Sequence, residues 1–156
     1  MEAGSRQVPD VLKHHLRQTD LDEIARVVDS VESKTAAEIR VHINHSLRFW
    51  QNSRKRAIDL FYHLGMDGTA GHTGLLLFLS LKERRIEIVS DTGIESRIPG
   101  DSWTNLVKEM QQQIHQKGLV TGICFGIDQI GRILSPVLPR SADDRNELPN
   151  TVSQEP

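Results

Sequence analysis

Asp91 and Glu95, in the run Asp91-Thr-Gly-Ile-Glu95, are followed shortly by Asp101, and the three lie where a strand pattern gives way to a helical one. Carboxylates on a turn and at a helix start offer the oxygen ligands that calcium and magnesium require, and both ions accept loop geometry. His72, just ahead of the preceding apolar segment, is the one histidine placed to join them. The expectation is a weak divalent-cation site, for calcium or magnesium, built from Asp91, Glu95, Asp101 and His72. The same residue types also have ordinary structural uses. Asp91 suits an Asx turn, Asp101 a helix cap, Glu95 plain solvation and His72 a surface loop.

Other chemistries find less support. The chain has seven histidines, but His42 and His45 fall on opposite faces of a strand, and His14 and His15 are adjacent near the N-terminus. His63 and His115 lie near helix ends, so no zinc spacing emerges. The single Cys124, within Gly-Ile-Cys-Phe-Gly, excludes an intrachain disulfide and reads as a small buried thiol. Cys124 to Arg132 is not a phosphate cradle of Cys-x5-Arg type. No P-loop and no Gly-x-Ser-x-Gly elbow is present. Hydrolysis is left with water activated on a metal at Asp91, Glu95 and His72, and no residue is assigned a catalytic role. Phe49 and Trp50, after the first strand, read as a lid on the core, with an exposed contact site as the alternative.

Positioning these residues requires a framework, and the hydrophobic pattern supplies one. Leu21, Ile24, Val27, Val28 and Val31 repeat at helical spacing behind a Thr19-to-Asp22 capping box. Glu38 to Asn44 alternates strictly, giving a strand with Ile39, Val41 and Ile43 on one face and a wet or ligand-facing polar side. A second helix starts near Arg54 and stops at Gly65, with Arg54-Lys55-Arg56 on its solvated face. Gly74 to Ser80 is apolar on both pleat faces, which places it centrally in a sheet covered above and below. Lys82-Glu83-Arg84 turns the chain into an antiparallel strand containing Ile86 and Val89. Trp103, Leu106, Val107, Met110 and Ile114 define a third helix ending before Gly118, and Ile123, Ile127, Ile130 and Leu134 a fourth. Gly122 and Gly126 are expected to let that last helix approach the sheet. The resulting class is α/β, a three-layer α/β/α sandwich with a small mixed sheet in the order α-β-α-β-β-α-α.

The 156 residues, 37% hydrophobic and 26% charged, suit one soluble domain. It is expected over residues 19–138, after a loose leader (1–18) and before a flexible tail (139–156). A net charge of −2 and an isoelectric point near 6.4 give no field that would gather nucleic acid. The N-terminal residues lack an apolar signal-peptide core, and no apolar run reaches the ~20 residues of a membrane span. A cytoplasmic module with a protein partner of unknown identity is the expectation.

Several blocks, in order, resemble the TPM domain family. They are Glu38-Ile-Arg-Val-His-Ile43, the approach Thr69 to Gly74 into Leu75-Leu-Leu-Phe-Leu-Ser80, then Ile86-Glu-Ile-Val-Ser-Asp-Thr-Gly-Ile-Glu95, Trp103, and Gly118-Leu-Val-Thr-Gly-Ile123. The chain is similar in particular to compact bacterial members without signal peptide or membrane anchor, down to the tail motif Asp144-Arg-Asn-Glu-Leu-Pro149. The resemblance implies a sandwich fold, divalent-cation binding in some members and acid phosphatase activity in a plant one. Where the family commonly has Asp-Asn-Gly or Arg-Asn-Gly before the central strand, this chain has His72-Thr73-Gly74, which removes an acidic or amide ligand. The functional expectation is a non-enzymatic TPM-type binding or accessory module, with a metal-dependent acid phosphatase as the alternative.

Overall fold

Apolar side chains at every position of a strand demand packing on both pleat faces, and β2 (Gly74–Ser80) meets that demand with all seven residues buried. The computed structural model describes residues 16–141 and 152–156; most of the expected leader lies outside them. β2 sits inside a four-stranded sheet, between β1 (Glu38–Asn44) and β3 (Arg85–Ser90). It runs parallel to β1, to which the chain returns through α2 (Ser53–His63), and antiparallel to β3 across a tight hairpin. Five α-helices and a 3-10 turn (Met66–Gly68) accompany the sheet: α1 (Gln18–Glu32), α2, the single turn α3 (Thr92–Glu95), α4 (Ser102–Lys117) and α5 (Leu119–Leu134). No helix among the described residues is long and apolar enough to cross a membrane.

The strand period of two divides the core into two layers. Ile39, Val41 and Ile43 of β1 join Leu75, Leu77 and Leu79 of β2 on the face covered by α1, α4 and α5. Leu76, Phe78 and Val89 face the other way, against Ala57, Leu60 and Phe61 of α2 and against Met66. This is the expected α/β/α sandwich.

Four details differ from the sequence reading. α1 is capped at Arg17 rather than at Thr19, with the Asp20 carboxylate accepting from the Arg17 backbone N–H at 2.9 Å, so Thr19 lies inside the helix. Gly122 and Gly126 bring α5 against α4 rather than against the sheet. A Cβ on Gly122 would lie 2.2 Å from Ile114 Cγ1, and one on Gly126 would lie 2.3 Å from Met110 Cε. The polar side of β1 is not wet: Glu38, His42 and Asn44 are all buried. Finally, the end of the expected tail adds a strand, β4 (Ser153–Glu155), which pairs in parallel with His42–Asn44. Three polar residues carry no periodicity to announce them; β4 is defined by the sheet edge it meets.

Candidate functional site

Because β2 and β3 are hairpin partners, the loop before β2 and the turn after β3 meet at one end of the sheet. The Asp91 N–H donates to the Gly74 carbonyl at 2.9 Å, and the Gly93 N–H to the His72 carbonyl at 2.9 Å. The approach is close enough that a Cβ on Gly93 would lie 2.2 Å from the Gly71 carbonyl oxygen, so glycine is required there. His72 adopts φ 53°, a left-handed conformation uncommon for a residue with a side chain. It turns the imidazole so that Nδ1 lies 3.4 Å from Asp91 Oδ2.

Two of the four expected ligands, His72 and Asp91, are thus in contact. Asp91 also accepts from the Thr92 N–H through its other oxygen at 2.7 Å, the Asx-type role its position suggests. Glu95 accepts from the Ser90 hydroxyl, which also receives the Trp103 indole N–H at 3.1 Å. Asp101 stands at the head of α4; its backbone carbonyl accepts from the Asn105 N–H at 3.0 Å, and its side chain makes no capping bond. Among the described residues no group of three or more His, Cys, Asp and Glu side chains is arranged to hold a metal.

A denser polar cluster lies at the β1 edge, on the polar face expected to be wet or ligand-facing, where no site residue was assigned. His42 is buried and stacks on Phe78, with centroids 5.8 Å apart. Its Nδ1 is 2.7 Å from Ser153 Oγ, and its Nε2 is 3.3 Å from Glu155 Oε1. Arg56 closes the arrangement by donating from Nη2 to both Glu155 oxygens, at 2.7 and 2.8 Å. Burial holds the His42 imidazole below its ordinary pKa, so it is neutral at pH 7. Burial also pushes the Glu155 carboxyl up, but Arg56 and His42 more than offset this and leave it below the usual carboxylate range. The basic run is therefore not simply solvated: Arg56 binds Glu155, and Arg54 donates to the Ile88 carbonyl at 2.7 Å.

A third site joins α1 to β1. Glu32 is buried, and its Oε2 accepts from the Ile39 N–H at 2.7 Å. Burial, together with the neighbouring Glu38 carboxyl, pushes Glu32 up to about 8. Glu38, at the start of β1, is buried as well, and two neighbouring buried carboxyls favour a state in which one of them keeps its proton. An open cleft lined by Asp29, Glu32, Ser33 and Arg140 lies beside them. Cys124 is half-buried and its thiol is raised to about 11 by burial, so it is an unreactive thiol.

Phe49 and Trp50 are not a core lid. They lie 98% and 64% exposed in the loop between β1 and α2, packed edge to face at 5.1 Å, with the Arg48 guanidinium 5.4 Å from the Trp50 ring. The residue nearby that packs against the Leu60, Phe61 and Phe78 layer is Leu47.

The TPM domain model matches residues 11–133 of this α/β sandwich. The chain belongs to the TPM domain family. Among solved structures it is similar to the BA42 protein of the psychrophilic bacterium Bizionia argentinensis, with 29% identity and a TM-score of 0.83 over 92% of this chain and 98% of that one. An N-terminal domain from P. gingivalis shares the fold at 17% identity and a TM-score of 0.67, covering 80% of each chain. So does an N-terminal domain from Corynebacterium glutamicum, at 13% identity and 0.59, over 91% of this chain and 81% of that one. No curated protein matches the chain.

Proposed function

We propose that this TPM domain is a non-enzymatic binding or accessory module that meets a protein partner through the Phe49–Trp50 loop. The observation that carries the reading is the exposure of two large aromatic rings side by side. Exposing that much contiguous apolar surface is unfavourable in water, and aromatic residues are the commonest anchors of protein interfaces. Arg48 beside the indole adds a charge-bearing rim of the kind that surrounds such anchors.

The turn formed by His72 and Asp91 is where the module would take a weak divalent cation, calcium or magnesium. Its support is the convergence of a carboxylate, an imidazole and the Gly71 and His72 carbonyls on one turn. Glu95, bonded to Ser90 beside that turn, and Asp101 would enter only as outer ligands.

The test has two arms. Affinity capture with the parent chain and with Phe49→Ser/Trp50→Ser as baits should recover a partner with the parent and lose it with the variant, at an unchanged melting temperature. Equal recovery by both would defeat the assignment of the loop. Phosphate release from a generic phosphomonoester should stay at trace level with calcium, magnesium, manganese or zinc, at acid and neutral pH. Robust release abolished by Asp91→Asn and by His72→Ala would replace the binding module with a metal-dependent phosphatase.

A further inference from the structure

We propose that the edge of β1 around His42 and Arg56 is a peptide-binding slot for an extended Ser-x-Glu segment of a partner protein, and that residues 153–155 fill this slot in cis. It is independent of the aromatic loop invoked above and uses a different surface.

The slot is built rather than incidental. A carboxylate only accepts hydrogen bonds, so the neutral His42 ring must carry its proton on Nε2, facing Glu155, and accept the Ser153 hydroxyl at Nδ1. One buried imidazole thereby bonds a hydroxyl at the first position of the segment and faces a carboxylate at the third, 3.3 Å away and without a hydrogen bond to it. Arg56 reads the same carboxylate through both oxygens, the charge-assisted arrangement that gives strong, directional recognition. The backbone adds strand pairing, with Ser153, Gln154 and Glu155 opposite His42, Ile43 and Asn44, and the His45 N–H donating to the Glu155 carbonyl at 3.0 Å. Adding a strand to a sheet edge, with side-chain pockets at alternate positions, is an established mode of peptide recognition.

The cis occupant is a modest ligand. It pairs over three residues, none of them apolar, and only Val152 adds partial packing against the core. The His42 Nε2 that faces Glu155 makes no well-aligned hydrogen bond, so a buried donor aimed into the slot is incompletely satisfied by the cis segment. The segment belongs to the same chain, so it competes intramolecularly, at an effective concentration on the order of 1 mM. An external segment with the same pattern must therefore compete against roughly millimolar cis strand, and gains by at least tenfold once that strand is weakened.

The experiment uses a fluorescein-labelled hexapeptide, Thr-Val-Ser-Gln-Glu-Pro, followed by fluorescence anisotropy against the full chain and against full-length Glu155→Ala. The variant should bind the probe at least tenfold more tightly than the parent, with amide shifts centred on residues 42–45. A probe with Gln in place of Glu should not bind, and adding Arg56→Gln to the Glu155→Ala chain should remove binding. Ser153→Ala opens the slot by a second route and should also bind the probe more tightly, so the test does not depend on one variant folding. Equal affinity for the parent and both opened variants would overturn the proposal, as would shifts away from β1. Concentration-dependent dimers with no probe binding would show strand exchange between copies and would overturn the assignment of a partner segment.

Discussion

Replacing Glu32 by Gln should make the protein more stable above neutral pH and remove much of the pH dependence of its stability. Glu32 is raised from an ordinary 4.5 to about 8 in the folded protein, chiefly by burial. The folded state therefore holds a proton that the unfolded chain releases, and the native state binds more protons throughout the interval between those values. Stability from this group is complete below about pH 4.5 and declines as pH rises, until it is gone above about pH 8. At about 1.4 kcal/mol per unit the loss approaches ~5 kcal/mol, an upper bound because the neighbouring Glu38 carboxyl takes up part of the change. Even half of that is a large part of the 5–15 kcal/mol that holds a typical domain together. In Glu32→Gln the amide oxygen still accepts from the Ile39 N–H, and the amide N–H donates to the Glu38 carboxylate without any ionisation. Urea unfolding of parent and variant at pH 5.5, 7.0 and 8.5 isolates the effect, because His42, Glu155 and the exposed groups titrate alike in both. The two should be close at pH 5.5 and separate by a few kcal/mol at pH 8.5, with the variant the more stable. Parallel curves across that range would refute the assignment of a retained proton to buried Glu32.

Two further outcomes test the packing. Leu77→Asp should prevent folding, since Leu77 is fully buried in the layer facing the helices and an unpaired charge there costs several kcal/mol. A variant that melts like the parent would contradict the central placement of β2. Gly122→Ala should lower stability by about 1–3 kcal/mol, because its Cβ would fall 2.8 Å from the Ile114 backbone nitrogen, which cannot move without shifting α4. An unchanged denaturation midpoint would show that the α4–α5 contact is looser than this spacing implies.

The hydrophobic period alone was enough to identify most of the framework. The unbroken run Leu75 to Leu79 required two covered faces, and the stripe from Trp103 to Ile114 required a helix, because burying apolar surface is the dominant requirement and its period is local. The blocks shared with the TPM family made the family legible too. Part of the acidic turn was readable for the same reason: Asp91, Thr92 and Gly93 form a local turn whose chemistry is set within a few residues. That His72 would meet Asp91 and that Asp101 would not depended on how the loop before β2 lies against that turn.

What only the tertiary structure decided is which distant polar groups meet. Arg56 and Glu155, or His42 and Ser153, are separated by about a hundred residues of chain, and no sequence period encodes such a pair. Their meeting follows from β4 pairing with β1, a backbone interaction open to almost any extended segment. Glu32 and Glu38 are near in sequence, yet the raised Glu32 carboxyl arises only because α1 and the start of β1 exclude water from both. The exposure of Phe49 and Trp50 was likewise undecidable from residue type, since an aromatic pair reads the same whether it covers a core or faces solvent. Apolar patterning fixes the layers because hydrophobic burial is additive and directionless; polar sites wait on three-dimensional placement because hydrogen bonds and charge pairing act only at short range and in one geometry.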